Sequence, residues 1–177
     1  LSRLALIFLG LLLSLALLEA GFRILYPNPS PRLINQGLQF HPIYELAFTP
    51  NAAGWNTSLR GEYSTYVKFN SHGLRGPELP YPKPDTTYRI LVLGDSVTAA
   101  LQVPEAETFV RRLESQLRQQ YPALNIEVIN AGVVGYGTDN ALAYFVNEGY
   151  RYEPDLLLLA FFIGNDLTDN IWRPVYR

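Results

Sequence analysis

The chain has 177 residues, a formal net charge of −2, 48% hydrophobic residues and 17% charged ones, which suits a folded protein and excludes a disordered one. No cluster of Lys and Arg offers the electrostatic footprint that a nucleic-acid partner needs, so nucleic acid is set aside. Cys is absent, which excludes disulfides, thiolate metal sites and cysteine nucleophiles, and only His41 and His72 can supply imidazole.

Residues 1–26 read as a membrane anchor. The stretch from Leu4 to Leu18 carries no charge, and only Glu19 and Arg23 follow before Tyr26. A helix of about 22 residues, Leu4 to Leu25, would cross a bilayer core of roughly 30 Å, and Glu19 and Arg23, four apart, can pair near the interface. The rival reading, a cleaved signal peptide, calls for a small-x-small site that Leu18-Glu19-Ala20 fits poorly. A buried core helix is the third reading, weakened because the segment has no polar face. Arg3 ahead of the apolar run predicts a cytoplasmic start, with the rest exported to the periplasm or the outside. A chain that begins with Leu1 and holds no Met is expected to be trimmed or a fragment.

Residues 27–87 form a Pro- and Tyr-rich lead-in. "YPNPSPRL" and "LPYPKPDTTY" predict stiffened linkers at either end. Between them Tyr63, Thr65, Val67 and Phe69 alternate with Ser64, Tyr66, Lys68 and Asn70, the pattern of a half-buried strand that ends in a turn at Ser71 to Gly73.

From residue 88 the pattern becomes regular. "YRILVLG" predicts a strand. "VPEAETFVRRLESQLRQQYP" predicts a helix, with Ala106, Phe109, Val110, Leu113 and Leu117 on one face, and "NIEVINAG" predicts a second strand. A helix over 138–148, capped by Thr138, would turn Leu142, Phe145 and Val146 inward. The eight apolar residues Leu156 to Ile163 predict a third strand, covered on both faces and therefore parallel. The expected class is a doubly wound, flavodoxin-like α/β fold, a parallel sheet between two helical layers. Three strands make a thin sheet of this kind, so residues 88–177 are expected to be the first part of a longer domain.

Ligands of such sheets bind beyond the carboxyl ends of the strands, where strand order reverses. If the first strand lies between the other two, three loops converge there: "GDS" at 94–96, "NAG" at 130–132 and "GND" at 164–166. A serine on a tight strand-to-helix turn is placed as a nucleophile for acyl transfer, and amides opening the next helix favour negative charge. The oxyanion of a tetrahedral intermediate needs donors, and the Ser96 amide, the Gly132 amide and the Asn165 side chain are of the right type. This chemistry calls for no cofactor.

These three tripeptides, in order and each after a predicted strand, resemble the blocks of the SGNH or GDSL hydrolases over residues 88–170. The lead-in "FNSHGLRGPELPYPKP" resembles that of membrane-anchored bacterial members. The resemblance implies that Ser96 is the nucleophile and an oxyanion donor, with Gly132 and Asn165 completing the hole. It also implies an Asp-x-x-His block downstream, supplying the base, and nothing here matches it. Without a base a serine hydroxyl is a poor nucleophile, so this chain alone is expected to be inactive. The implied substrate is a small-molecule or polysaccharide ester, with O-acetylated cell-surface polysaccharide suggested by an exported, anchored position.

Plainer roles compete at each position. Ser96 alone would be read as a helix cap; Asp95 as a turn and helix-start residue; Asp166 as a brace for its loop; Gly135 and Gly137 as turn glycines. His72, in a turn before the sheet, suits packing better than catalysis, and His41 is weaker still; two isolated histidines make no metal site. "NTS" at 56–58 matches a glycosylation acceptor by a short, common pattern. Trp55, Tyr63, Tyr66 and Tyr81 could stack on a sugar ring, with strand packing the safer assignment. A non-catalytic, membrane-anchored carbohydrate-binding or scaffold protein is the alternative to the enzyme.

Overall fold

The computed structural model describes residues 3–25, 37–58 and 60–172. The stretch "YPNPSPRL" lies outside the described residues. The chain divides into two compact units, Leu1–Ser30 and Pro31–Arg177.

In the first unit α1 (Arg3–Leu25) is a single helix. From Ala5 to Leu25 its mean hydropathy is 2.3, so it is long and apolar enough to cross a membrane, as an anchor or as a signal sequence. Its polar groups are satisfied within the helix: Ser14 donates to the Gly10 carbonyl at 2.8 Å, and Arg23 Nε donates to Glu19 Oε1 at 2.9 Å, the pairing expected from their spacing.

The second unit is built on a parallel sheet of three strands, β5 (Thr87–Gly94), β6 (Asn125–Gly132) and β7 (Leu156–Ala160), in the order β6-β5-β7. The first strand in sequence is therefore the central one. Successive β5 side chains face opposite ways, and Ile90 and Val92 pack with Val110, Leu113 and Leu117 of α3 (Phe109–Gln120). Leu91 and Leu93 enter the other core, with Ala141 and Tyr144 of α4 (Thr138–Asn147). This is the expected α/β class, with a helix on each face of the sheet.

Two antiparallel hairpins precede the sheet: β1 (Leu38–His41) with β2 (Glu45–Phe48), and β3 (Ala53–Thr57) with β4 (Ser64–Lys68). They share the α4-side core, to which Phe48, Val67, Phe69 and Leu74 contribute. In β4 the alternation holds, with Thr65 and Val67 buried, although Asn70 beyond it is buried as well.

Expectations for three elements are corrected. β7 stops at Ala160 rather than Ile163, because the Phe162 amide is taken by Asp166 Oδ2 at 2.8 Å in a turn and leaves the ladder. Nor is it covered on both faces: Leu156, Leu157 and Leu159 are almost half exposed, β7 being an edge strand. In α4 the inward residues are Asn140, Ala141, Ala143 and Tyr144, with Phe145 half-buried, while Leu142 and Val146 face solvent. The apolar spacing allows two rotations of this helix, and Asn140 selects one, accepting from the Gly137 amide at 3.0 Å and donating to the Tyr44 carbonyl at 3.3 Å. Gly137, not Thr138, is the cap, since the Thr138 hydroxyl accepts from Asn170 Nδ2 at 2.6 Å. Finally, Thr108 caps α3 after a separate turn at Glu105–Glu107, which leaves Ala106 and Phe109 exposed.

Candidate active site

β5 ends at Gly94, and Asp95 and Ser96 open a single helical turn, α2 (Ser96–Ala99). Asp95 is buried, and its Oδ1 accepts the Val97 amide at 2.8 Å, so it is the helix-start residue that its place after a strand suggests. Ser96 is half-buried, and its hydroxyl makes no hydrogen bond among the described residues.

Gly132, in register with Gly94, ends β6 against the backbone of α2. A Cβ there would lie 2.5 Å from both the Ala99 nitrogen and Thr98 Cβ, so only glycine lets strand and helix approach so closely. Asn130 secures this contact. It is buried, its Nδ2 donates to the Thr98 carbonyl at 2.8 Å, and its Oδ1 accepts from the Gly132 amide at 3.0 Å. Sequence reasoning passed over Asn130; the signal was a polar residue closing an apolar strand, which when buried must find partners.

Asn165 sits in the turn after β7. Its Nδ2 donates to Asp169 Oδ2 at 2.6 Å, and its buried Oδ1 has no protein partner. Asp166 holds this turn through the Phe162 amide, the bracing role expected of it, and opens α5 (Asp166–Trp172). Burial pushes the Asp166 carboxyl above its ordinary value against the opposing Phe162 hydrogen bond, and the negative charges of Asp95 and Asp169 push it further.

The three loops thus leave one edge of the sheet side by side, Gly94 pairing with Gly132 on one flank and Ala160 on the other. Gly132 is packed on the Ser96 helix, and the Asp166 turn is near enough for Asp95 to act on its charge. No hydrogen bond joins Ser96 to Gly132 or Asn165 among the described residues, and the amides of both partners are engaged within their own loops.

His72 does not approach this edge. The His72 ring lies 4.4 Å from that of Tyr81 and 5.9 Å from that of Tyr152, whose carbonyl accepts from Arg89 near the start of β5. That is the opposite end of the strand from Ser96. His41 stacks on Tyr44 at 3.6 Å. Asn56 of the "NTS" stretch is 1% exposed and donates to the Leu101 carbonyl at 2.9 Å, so no glycan can be attached to it in the folded chain. Trp55 and Tyr66 are cross-strand partners on the outside of the β3-β4 hairpin and meet edge to face at 5.5 Å, the strand packing expected of them, while 53% and 55% of their surfaces stay exposed.

No protein-family model matches the chain, and no curated protein matches it. Among solved structures it is similar to AlinE4, a SGNH-hydrolase family esterase, at 32% identity and a TM-score of 0.40, over 49% of this chain and 45% of that one. Two variants of the same esterase match over the same shares, at 32% and 30% identity and TM-scores of 0.40 and 0.39. The aligned part spans less than half the length of the esterase chains.

Proposed function

We propose that the chain is the nucleophile-bearing part of a membrane-anchored serine esterase of the SGNH type, acting outside the cytoplasm. The observation that carries this reading is the Asp95-capped turn beyond the central strand, which opens with Ser96 and its uncommitted hydroxyl and packs through Thr98 and Ala99 on Gly132. In this scheme the Ser96 oxygen attacks an ester carbonyl, its proton passes to a base, the alcohol leaves, and water releases the acyl group. The Ser96 amide, the Gly132 amide and Asn165 Nδ2 receive the developing oxyanion, so the Gly132 amide must turn from Asn130, while Asn165 Nδ2 has a second N–H beside the one it gives Asp169. The base is neither His72 nor His41, and activity requires one supplied by further polypeptide. O-acetyl groups on cell-surface polysaccharide are the substrate we favour, from the anchor and from the breadth of ester chemistry such a site admits.

Ser96→Ala in the full-length protein should abolish hydrolysis of p-nitrophenyl acetate, while Asn165→Ala should lower kcat about 10²- to 10³-fold. Retained turnover in Ser96→Ala would overturn the reading. The exposed Trp55 and Tyr66 pair favours a second one, a carbohydrate-binding protein without catalysis. Glycan binding lost in Trp55→Ala, with no esterase activity in the full-length protein, would establish it.

A further inference from the structure

The segment leaving the Ser96 helix is held from outside by the lead-in hairpin and the turn after it. Five successive carbonyls, Ala99 to Val103, are each met by a side chain of residues 56–75. Arg75 Nη1 donates to Ala99 O at 3.0 Å and also to Ala100 O, and Nη2 donates to Val103 O at 2.5 Å. Asn56 Nδ2 donates to Leu101 O at 2.9 Å, and the Thr65 hydroxyl to Gln102 O at 2.7 Å. All three side chains are buried.

The helix needs such help. It is one turn long, too short to hold its own shape. It ends in Ala100 at φ 50° and ψ 42°, a left-handed conformation that an alanine adopts only at a cost. Its last carbonyls have no partners within the helix, and the fixed fork of a guanidinium can meet several at once. Arg75 bears its charge against carbonyls, and burial holds its guanidinium below the ordinary value while Glu105 opposes that shift. Desolvating a cation is a costly route to stability, since apolar packing often serves as well. What the arrangement adds is position: the Ala100 amide donates to Ser96 O at 3.0 Å, so fixing the carbonyls of Ala99 and Ala100 fixes the turn that begins with Ser96.

We propose that Arg75, with Asn56 and Thr65, positions the Ser96 helix for attack, which makes the lead-in part of the catalytic apparatus. This rests on Ser96 being the nucleophile. An error of about 1 Å in such a placement can cost 10²-fold in rate.

In the full-length protein Arg75→Lys, which keeps the charge and loses the fork, should lower kcat for p-nitrophenyl acetate at least ten-fold, with KM within two-fold. Guanidinium ion at millimolar concentration should restore part of the rate to Arg75→Ala. An Arg75→Lys variant that is folded and keeps kcat within two-fold, or that loses rate through KM alone, overturns the proposal. If the Arg75 variants do not fold, Thr65→Val removes one donor at nearly constant shape. Amide hydrogen exchange over residues 96–103 should then quicken at least ten-fold relative to β5, and unchanged exchange overturns the proposal. Full turnover in Ser96→Ala would instead remove the enzymatic reading, and the exchange experiment would still decide whether the brace holds the turn.

Discussion

At the scale of single residues the loops beyond the strand ends show how burial sets charge. Asp166 is held above the ordinary carboxylate value by burial and by neighbouring negative charge, so the native chain binds that proton more tightly than the unfolded chain does. The contribution of Asp166 to stability should be fully present below the ordinary Asp value and be lost as pH rises through the range above it. Urea midpoints measured between pH 3 and 7 should show wild type losing stability relative to Asp166→Asn as pH rises; a difference that stays flat or runs the other way would contradict the assignment. The structural roles of Asp95 and Asp166 were legible in the sequence, because a carboxylate beside a strand end finds the amides of its own turn. Arg75 and Asn56 were not. Their partners are carbonyls on other segments, and carbonyls leave no mark in a sequence because every residue has one.

Among elements, the parallel pairing of β5, β6 and β7 was legible from apolar runs separated by helices, whereas the central place of β5 entered only as a condition, since apolar runs carry no strand order. The rotation of α4 was not legible, since hydrophobic spacing leaves two faces open and a single buried amide side chain chooses between them. The crossing of β6 and α2 is a close joint at the candidate site. Gly132→Ala should drive a methyl into the Ala99 nitrogen and Thr98, at a cost of about 1–3 kcal/mol from overpacking. Thermal unfolding would measure it, and a melting temperature equal to wild type would show that the joint has slack.

In the second unit as a whole, the sheet carries more apolar surface than its helices cover. A hollow of about 390 Å³ lies over β5, β6 and β7, lined by Ile90, Leu113, Leu117, Ile126, Leu156 and Leu158. Such a surface on a native chain should take up 8-anilino-1-naphthalenesulfonate, and Leu117→Glu should lower the bound fluorescence at least two-fold; an unchanged signal would place the dye elsewhere. The hollow follows from β7 lying at an edge, whereas a run of apolar residues alone says only that a strand can be covered, not by what. At the far end of the same sheet Arg89, fully buried, donates to Glu127 Oε2 at 2.6 Å and to the carbonyls of Pro80, Tyr81 and Tyr152 at 2.8–3.0 Å. Those partners arrive from positions up to 63 residues away, and a cation stripped of water before they gather would face a desolvation penalty with little to offset it. The clamp is therefore expected to close after the folding transition state, so Glu127→Gln should leave the refolding limb of a chevron nearly unmoved and raise the unfolding rate, and a slowed refolding limb would contradict this order.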